Sequence, residues 1–458
     1  MFNSVRLKHK KSIQVNQWRS YQSRLNKKAA TRRLYRLFPA YAGLACVIAF
    51  MIYGVSALLD KTRTSPTQAY SVAVPDPIET FDKTTLQKII RHNPWTNSAD
   101  NDFELHTSGK TYQVHSSIDP SLQQFIVDRI DRKNSKHFGF IAMDPETGRI
   151  LSMVSYDRDS QTANICLQPE FPAASIIKIV TAAAALEKCG FNADTPVTFN
   201  GNKYTLYKTQ LKEQINKHTS QVSFEKAFAC SINPVFGKIG VNQLGKSVLE
   251  SYASAFGFNR IFDFEIPLPP SAFAINDEPY NCAEAACGFN RRTLISPLHG
   301  ALIVASIINH GKLVEPTLID AVKFSNDLVY QRNSHEVAEP VTPYTANTLK
   351  KMMTATVASG TASKSFSGYK KDKILSELVI GGKTGSINNN AEHLKYDWFA
   401  GYAEGKNGSQ KIVVCTLVVH KDYIGTKSAQ YARMAIKEYF ENHNTTAEIQ
   451  PVQKAAAL

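Results

Sequence analysis

Residues 139–156 read GFIAMDPETGRILSMVSY, two apolar stretches on either side of a turn marked by Pro145 and Gly148, and this pattern predicts a β-hairpin. Strands are next expected only near the far end of the chain, in SELVIGGK (376–383), DWFAGYAEG (397–405) and KIVVCTLVVH (411–420). Turn residues separate the last two, as in an antiparallel meander. Between the two sets the pattern is mostly helical, as in SIIKIVTAAAALEK (175–188) and LHGALIVASIIN (298–309). An early hairpin, a helical middle and late strands imply an α+β fold: one antiparallel sheet assembled from both ends, flanked by helices, with a helical subdomain inserted. Two further helices frame it. IDPSLQQFIVDRIDRK (118–133) puts Leu122, Phe125, Ile126 and Ile130 on one face, and an amphipathic stretch over 427–441 closes the domain. The folded domain is expected over 113–445 and a disordered tail over 446–458.

The chain has 458 residues, 43% hydrophobic and 20% charged, a globular balance that excludes both a minimal fold and a disordered polymer. Its net charge of +14 is unevenly placed. Residues 1–36 hold eleven Lys or Arg and no acid, which leaves +3 for everything else. The next 23 residues, LFPAYAGLACVIAFMIYGVSALL (37–59), carry no charge. As a helix they would span about 34 Å, enough for a hydrocarbon core of about 30 Å. The expectation is a basic cytoplasmic tail (1–36), an uncleaved transmembrane signal anchor (37–59), and export of the rest, because positive residues resist translocation. A cleaved signal peptide would have a shorter apolar region and a small-residue cleavage site. Topology accounts for the basic arm, so no nucleic-acid partner is expected. Residues 60–112, broken by Pro66, Pro75, Pro77 and Pro94, read as a linker or a vestigial N-terminal region, with TTLQKIIRH (84–92) as one short helix. Cys46 lies in the apolar segment; of the other cysteines, Cys282–Cys287 and Cys166–Cys189 are candidate bridges, with buried free thiols such as Cys230 and Cys415 as the alternative. The sequence has no CxxC, HExxH or clustered His pattern, so neither a metal nor a cofactor is expected.

Three short patterns follow one another: Ser175-Ile-Ile-Lys178, Ser231-Ile-Asn233 and Lys383-Thr-Gly385. The first two are unspecific alone, since S-x-x-K recurs at Ser223–Lys226 and Ser367–Lys370 and S-x-N at Ser386-Ile-Asn388. Context singles out Ser175. An apolar helix follows it, and Lys178 stands among Ile177, Ile179 and Val180 with little polar face along which to snorkel to solvent. Residues three apart share a helical face, so a hydroxyl is set beside an amine. A serine is a poor nucleophile until a base takes its proton. A buried lysine can be that base once desolvation and a second cation, here Lys383, lower its pKa. Backbone N–H groups at the helix start favour negative charge developing there.

In this order the three patterns resemble the motifs of the penicillin-binding protein and serine β-lactamase superfamily. SIDPSLQ (117–123) is similar to the opening of the family's transpeptidase domain, and GFIAMDPETGRILSMVS to its first hairpin. CGFNRRTLISPLHGALIVASIINHGKLVEP (287–316), VASGTA (357–362) and DWFAGYAE (397–404) extend the resemblance to about residues 113–442. It implies Ser175 as the acylated nucleophile, Lys178 as its general base, and Ser231 with Lys383 as a proton relay to the leaving amine. Asn233 would hold the substrate's peptide amide, and Thr384 and Ser386, on either side of Gly385, its terminal carboxylate. Backbone N–H groups of Ser175 and Ser386 would form the oxyanion hole. Two departures, Ser386 where many relatives have Thr and Ser296-Pro297 in place of Thr-Pro, keep a hydroxyl. A third is larger: residues 61–112 are too few for a pedestal or a glycosyltransferase domain, so a monofunctional enzyme is expected.

The implied function is a D,D-transpeptidase that is acylated by the D-Ala-D-Ala end of peptidoglycan stem peptides, cross-links it to an amine, and binds β-lactam antibiotics covalently. It implies a bacterial inner membrane, with the catalytic domain on the periplasmic side. A membrane glycosyltransferase or other cell-wall synthesis proteins are the partners it allows. The same motifs serve D,D-carboxypeptidases and β-lactamases, which pass the acyl group to water. The sequence has no E-x-x-L-N pattern of class A β-lactamases. A non-catalytic β-lactam sensor is disfavoured by a 36-residue tail without a recognisable domain.

Overall fold

The computed structural model describes residues 82–90, 97–107, 109–406, 408 and 410–455, with side chains as far as His443. The segments read as cytoplasmic tail and membrane anchor, 1–36 and 37–59, lie outside the described residues. Among the described residues, no helix is long and apolar enough to cross a membrane. The chain runs through α1 (Lys83–Ile90), β1 (Asp102–Thr107), β2 (Lys110–Ser116), α2 (Pro120–Val127), β3 (Ser135–Met143) and β4 (Ile150–Asp157). A helical stretch follows: α3 (Lys178–Lys188), α4 (Phe224–Ala229), α5 (Asn233–Lys238), α6 (Gly245–Ala255), α7 (Pro279–Cys287) and α8 (Pro297–Ile308). It ends with β5 (Ile319–Phe324), β6 (Asp327–Gln331), α9 (Pro343–Ser359), β7 (Leu378–Asn389), β8 (Leu394–Gly405), β9 (Lys411–His420) and α10 (Ser428–Ala455).

The central sheet has the order β7-β8-β9-β3-β4, antiparallel throughout, so the early hairpin and the late meander join as expected. The seam is β9 on β3, with Val413 opposite Met143 and Leu417 opposite Gly139. Alternation of side chains gives the sheet two apolar faces. One, with Ile141, Met153, Trp398 and Leu417, packs under α3, α8 and the other helices of the insertion. The other, with Phe138, Phe140, Val414 and Val418, is covered by α2 and α10 through Leu122, Ile126, Tyr431 and Ile436. Helix α8 is buried along its whole length, which is why its sequence is apolar all round. The Ser296 hydroxyl accepts from the His299 N–H at 3.1 Å and Pro297 opens the first turn, so the Ser-Pro pair is a helix start.

Four expectations need correction. The boundary at 112/113 falls inside β2: residues 102–116 form a hairpin that pairs with β5 and β6 in the order β1-β2-β5-β6, with α1 packed on it. What reads as linker is the outer half of a sheet completed from residues 319–331. Helix α2 ends at Val127, since Asp128 already caps it and Ile130 is buried from the following turn. The helical backbone of α10 continues through 446–455, past Pro451, where a tail is expected. Finally, neither cysteine pair is bridged; Cys166, Cys189, Cys230, Cys282, Cys287 and Cys415 are all free, four of them buried.

Candidate active site

Ser175 lies at the base of the insertion, where Phe171–Pro172 pairs with Leu294–Ile295 and the chain turns sharply before α3. It sits in a 3₁₀ turn, Ala174–Ile177, one step ahead of the α-helix that the sequence predicts around it. Ala174 takes the left-handed region, φ 46°, a conformation rare for a residue with a Cβ. Three contacts hold that turn. The Trp398 indole N–H donates to the Pro172 carbonyl at 2.9 Å, the Ala173 N–H to the Thr293 carbonyl at 2.9 Å, and Gly288 backs directly onto Ala174. A Cβ on Gly288 would stand 1.8 Å from the Ala174 carbonyl oxygen, and its φ of 72° is itself left-handed. Gly288→Ala should therefore displace the Ser175 turn and add about 1–2 kcal/mol of backbone strain. A thermal melt read beside the rate of penicillin acylation checks this; an unaltered acylation rate would show that the contact does not set the turn.

Lys178 is fully buried and its Nζ lies 2.7 Å from three oxygens: Ser175 Oγ, Asn233 Oδ1 and the Cys287 carbonyl. The two carbonyl-type oxygens can only accept. They occupy the two N–H bonds of a neutral amine and leave its lone pair toward the one partner that can donate, the Ser175 hydroxyl. Burial pushes the Lys178 pKa down to about 8. On the opposite wall Lys383, also fully buried, donates to Ser231 Oγ at 2.9 Å and to the Thr384 carbonyl at 3.0 Å. Its pKa is held well below the ordinary lysine value by burial and by the charge of Lys178. Lys383 is thus not the cation that lowers Lys178: burial is the leading cause there, and the charge coupling acts on Lys383.

Ser231 follows α4 at φ 58°, another left-handed non-glycine. The VASGTA turn fixes it from outside: the Thr361 N–H donates to the Ala229 carbonyl at 3.0 Å, and a Cβ on Gly360 would come within 2.4 Å of the same oxygen. The Asn233 Nδ2 donates to the Tyr204 carbonyl at 2.9 Å, which orients its amide with Oδ1 toward Lys178. Gly385, on β7, brings that strand close to Ala173 and Ile176, where a Cβ would stand 3.3 Å from each, a tight fit. All the expected side chains therefore meet in one cleft except that of Ser386. Its hydroxyl lies 3.4 Å from Asp397 Oδ1 on the neighbouring strand. Sequence reasoning missed three members of the site. Thr361 shares a 2.5 Å hydrogen bond with Thr384, the Cys287 carbonyl binds Lys178, and Gly288 supports the turn. The competing S-x-x-K matches fail on geometry: Ser223 caps α4 by accepting from the Lys226 N–H, and Ser367 and Lys370 are exposed.

Residues 138–437 match the family model for the penicillin binding protein transpeptidase domain. The peptidoglycan D,D-transpeptidase PbpA of Mycolicibacterium smegmatis is 25% identical over 345 residues, 67% of each chain. Penicillin-binding protein 3 of Bacillus subtilis is 22% identical over 319 residues, 63% of this chain and less than half, 45%, of that relative. Among solved structures, the penicillin G acyl-enzyme complex of penicillin-binding protein A from M. tuberculosis shares the fold. It has a TM-score of 0.56 and 20% identity, covering 72% of this chain and 80% of that one.

Proposed function

The chain belongs to the penicillin-binding protein transpeptidase family, and on that premise we propose that it is a peptidoglycan D,D-transpeptidase. The observation that carries this reading is the Lys178 amine, buried, 2.7 Å from Ser175 Oγ, with its other two partners both acceptors. Lys178 takes the Ser175 proton as Oγ attacks the penultimate D-Ala carbonyl of a stem peptide. The C–N bond breaks, the terminal D-Ala amine leaves with a proton relayed through Ser231 and Lys383, and an ester on Ser175 remains. An acceptor amine then attacks the ester, forms the cross-link and returns the proton to Ser175. Asn233 holds the donor's amide, Thr384 its terminal carboxylate beside Gly385, and the Ser175 and Ser386 N–H groups receive the oxyanion. A β-lactam enters the same path as far as the ester.

This reading also carries the membrane topology. The uncharged run 37–59 behind eleven basic residues supports a signal anchor with a cytoplasmic N-terminus and a catalytic domain on the outer side of a bacterial inner membrane. A membrane glycosyltransferase suits it as a partner, because cross-linking requires glycan strands that another activity polymerises.

The test incubates the purified chain with a stem-peptide donor, with and without an acceptor amine, and resolves the products by mass. A cross-linked product that appears only with the acceptor is expected; release of the shortened peptide alone would make the enzyme a carboxypeptidase. Penicillin discriminates further. Its leaving amine stays tethered in the adduct and blocks the acceptor side, so acylation should stop at one equivalent per Ser175 and reverse slowly. Sustained hydrolysis of many equivalents would make the chain a β-lactamase.

A further inference from the structure

Strand β7 is the outer edge of the central sheet, and just past Ser386 it forms one wall of a cavity of about 540 Å³. The β7–β8 turn and the segment after β9 supply the other walls. The size suits part of a peptide. Two lysines face it, Lys395 and Lys421, neither of them ion-paired among the described residues, together with His393 and His420, against the single carboxylate of Asp422. Two buried polar atoms of its lining lack hydrogen-bond partners, Asn389 Oδ1 and His420 Nε2, the latter 3.7 Å from an Asp397 carboxylate oxygen. Arg291 adds a further cation at the rim, donating to the Asn388 carbonyl at 2.6 Å. None of these groups takes part in the chemistry at Ser175.

The position of the cavity follows from the site. With the donor's terminal carboxylate at Thr384 and the reacting carbonyl between Ser175 and Ser386, the rest of the stem peptide runs along β7 toward Asn388. Three strand residues from Ser386 to Asn389 cover about 10 Å, the reach of about three extended donor residues. A carboxylate branching from the donor in that stretch would meet the two lysines of the cavity lining. We propose that the cavity is a subsite for a free carboxylate on the stem peptide upstream of its D-Ala-D-Ala end, held by Lys395 and Lys421. The proposal rests on the transpeptidase reading and adds donor recognition to it.

The full chain should be assayed with three donors: an N-acyl-D-Ala-D-Ala lacking the upstream residues, a pentapeptide with a free glutamyl α-carboxylate, and the same pentapeptide with a carboxamide there. The expected result is a kcat/KM for the acid about ten- to a hundredfold above that for the amide, the range of a charge-assisted hydrogen bond. In Lys395→Ala and Lys421→Ala that ratio should fall toward one, with penicillin acylation read in parallel as proof of a folded cleft. Equal rates for acid and amide in the unaltered chain would overturn the subsite, as would a loss in the variants common to all three donors. If the unaltered chain releases no D-Ala from any donor, the transpeptidase reading falls and the subsite with it, an outcome distinct from equal rates.

Discussion

Ser175→Ala should abolish covalent labelling by a fluorescent penicillin while leaving the fold intact. The serine is partly open to the cleft, its side chain makes one hydrogen bond, to Lys178, and alanine fits the same turn. Without Oγ there is no ester, and no neighbouring group replaces it. Ser231 Oγ is engaged by Lys383, and the lysines three residues after Ser223 and Ser367, Lys226 and Lys370, are exposed and outside the cleft. Labelled protein separated on a denaturing gel decides it. Persistent label on any other serine would sink the assignment of the nucleophile.

The second large effect is on Lys178. Lys178→Ala should slow acylation roughly 10²- to 10⁴-fold, the usual contribution of a positioned base. Lys178→Arg should not restore it, because a guanidinium keeps its proton at any accessible pH and has no lone pair to offer. The unaltered protein also has a pH signature. Only the neutral amine can accept the Ser175 proton, and the Lys178 pKa is about 8. The second-order acylation rate should therefore rise with pH, about tenfold per unit below that value, and level off above it. Stopped-flow acylation across the pH range measures both predictions together: in Lys178→Ala the rising limb should be missing as well as the rate. A rising limb that survives in Lys178→Ala would move the base to Lys383.

The parts of this molecule that the sequence discloses are those encoded locally. The hairpin of β3 and β4 and the meander of β7 to β9 are apolar runs with turn residues between them, and Lys178 is conspicuous because a charge inside such a run requires an explanation. What stays hidden depends on distant partners. In β1, DFELHT, the apolar alternation is only Phe103 and Leu105, too short a run to announce a strand, and the strand that completes its sheet is β5, some two hundred residues later. The Cys287 carbonyl is a backbone group and leaves no trace in composition. Gly288 matters for what a Cβ would strike, which depends on a turn more than a hundred residues earlier. Ser296 shows the reverse case: a hydroxyl read as a retained family feature has a local use at the start of α8.

The seam between β9 and β3 governs how the chain can fold. Val413 must find Met143, and β9 lies between the early hairpin and the other two late strands. Contacts of that sequence separation close slowly, since a long loop must be ordered before they contribute. During synthesis the β3–β4 hairpin emerges with nothing on the outer edge of β3 until β9 follows, so the nascent domain carries an unpaired, apolar strand edge through most of its translation. A chain exported before it folds would cross the membrane in this open condition, and the sheet would close only once its C-terminal strands had arrived on the far side.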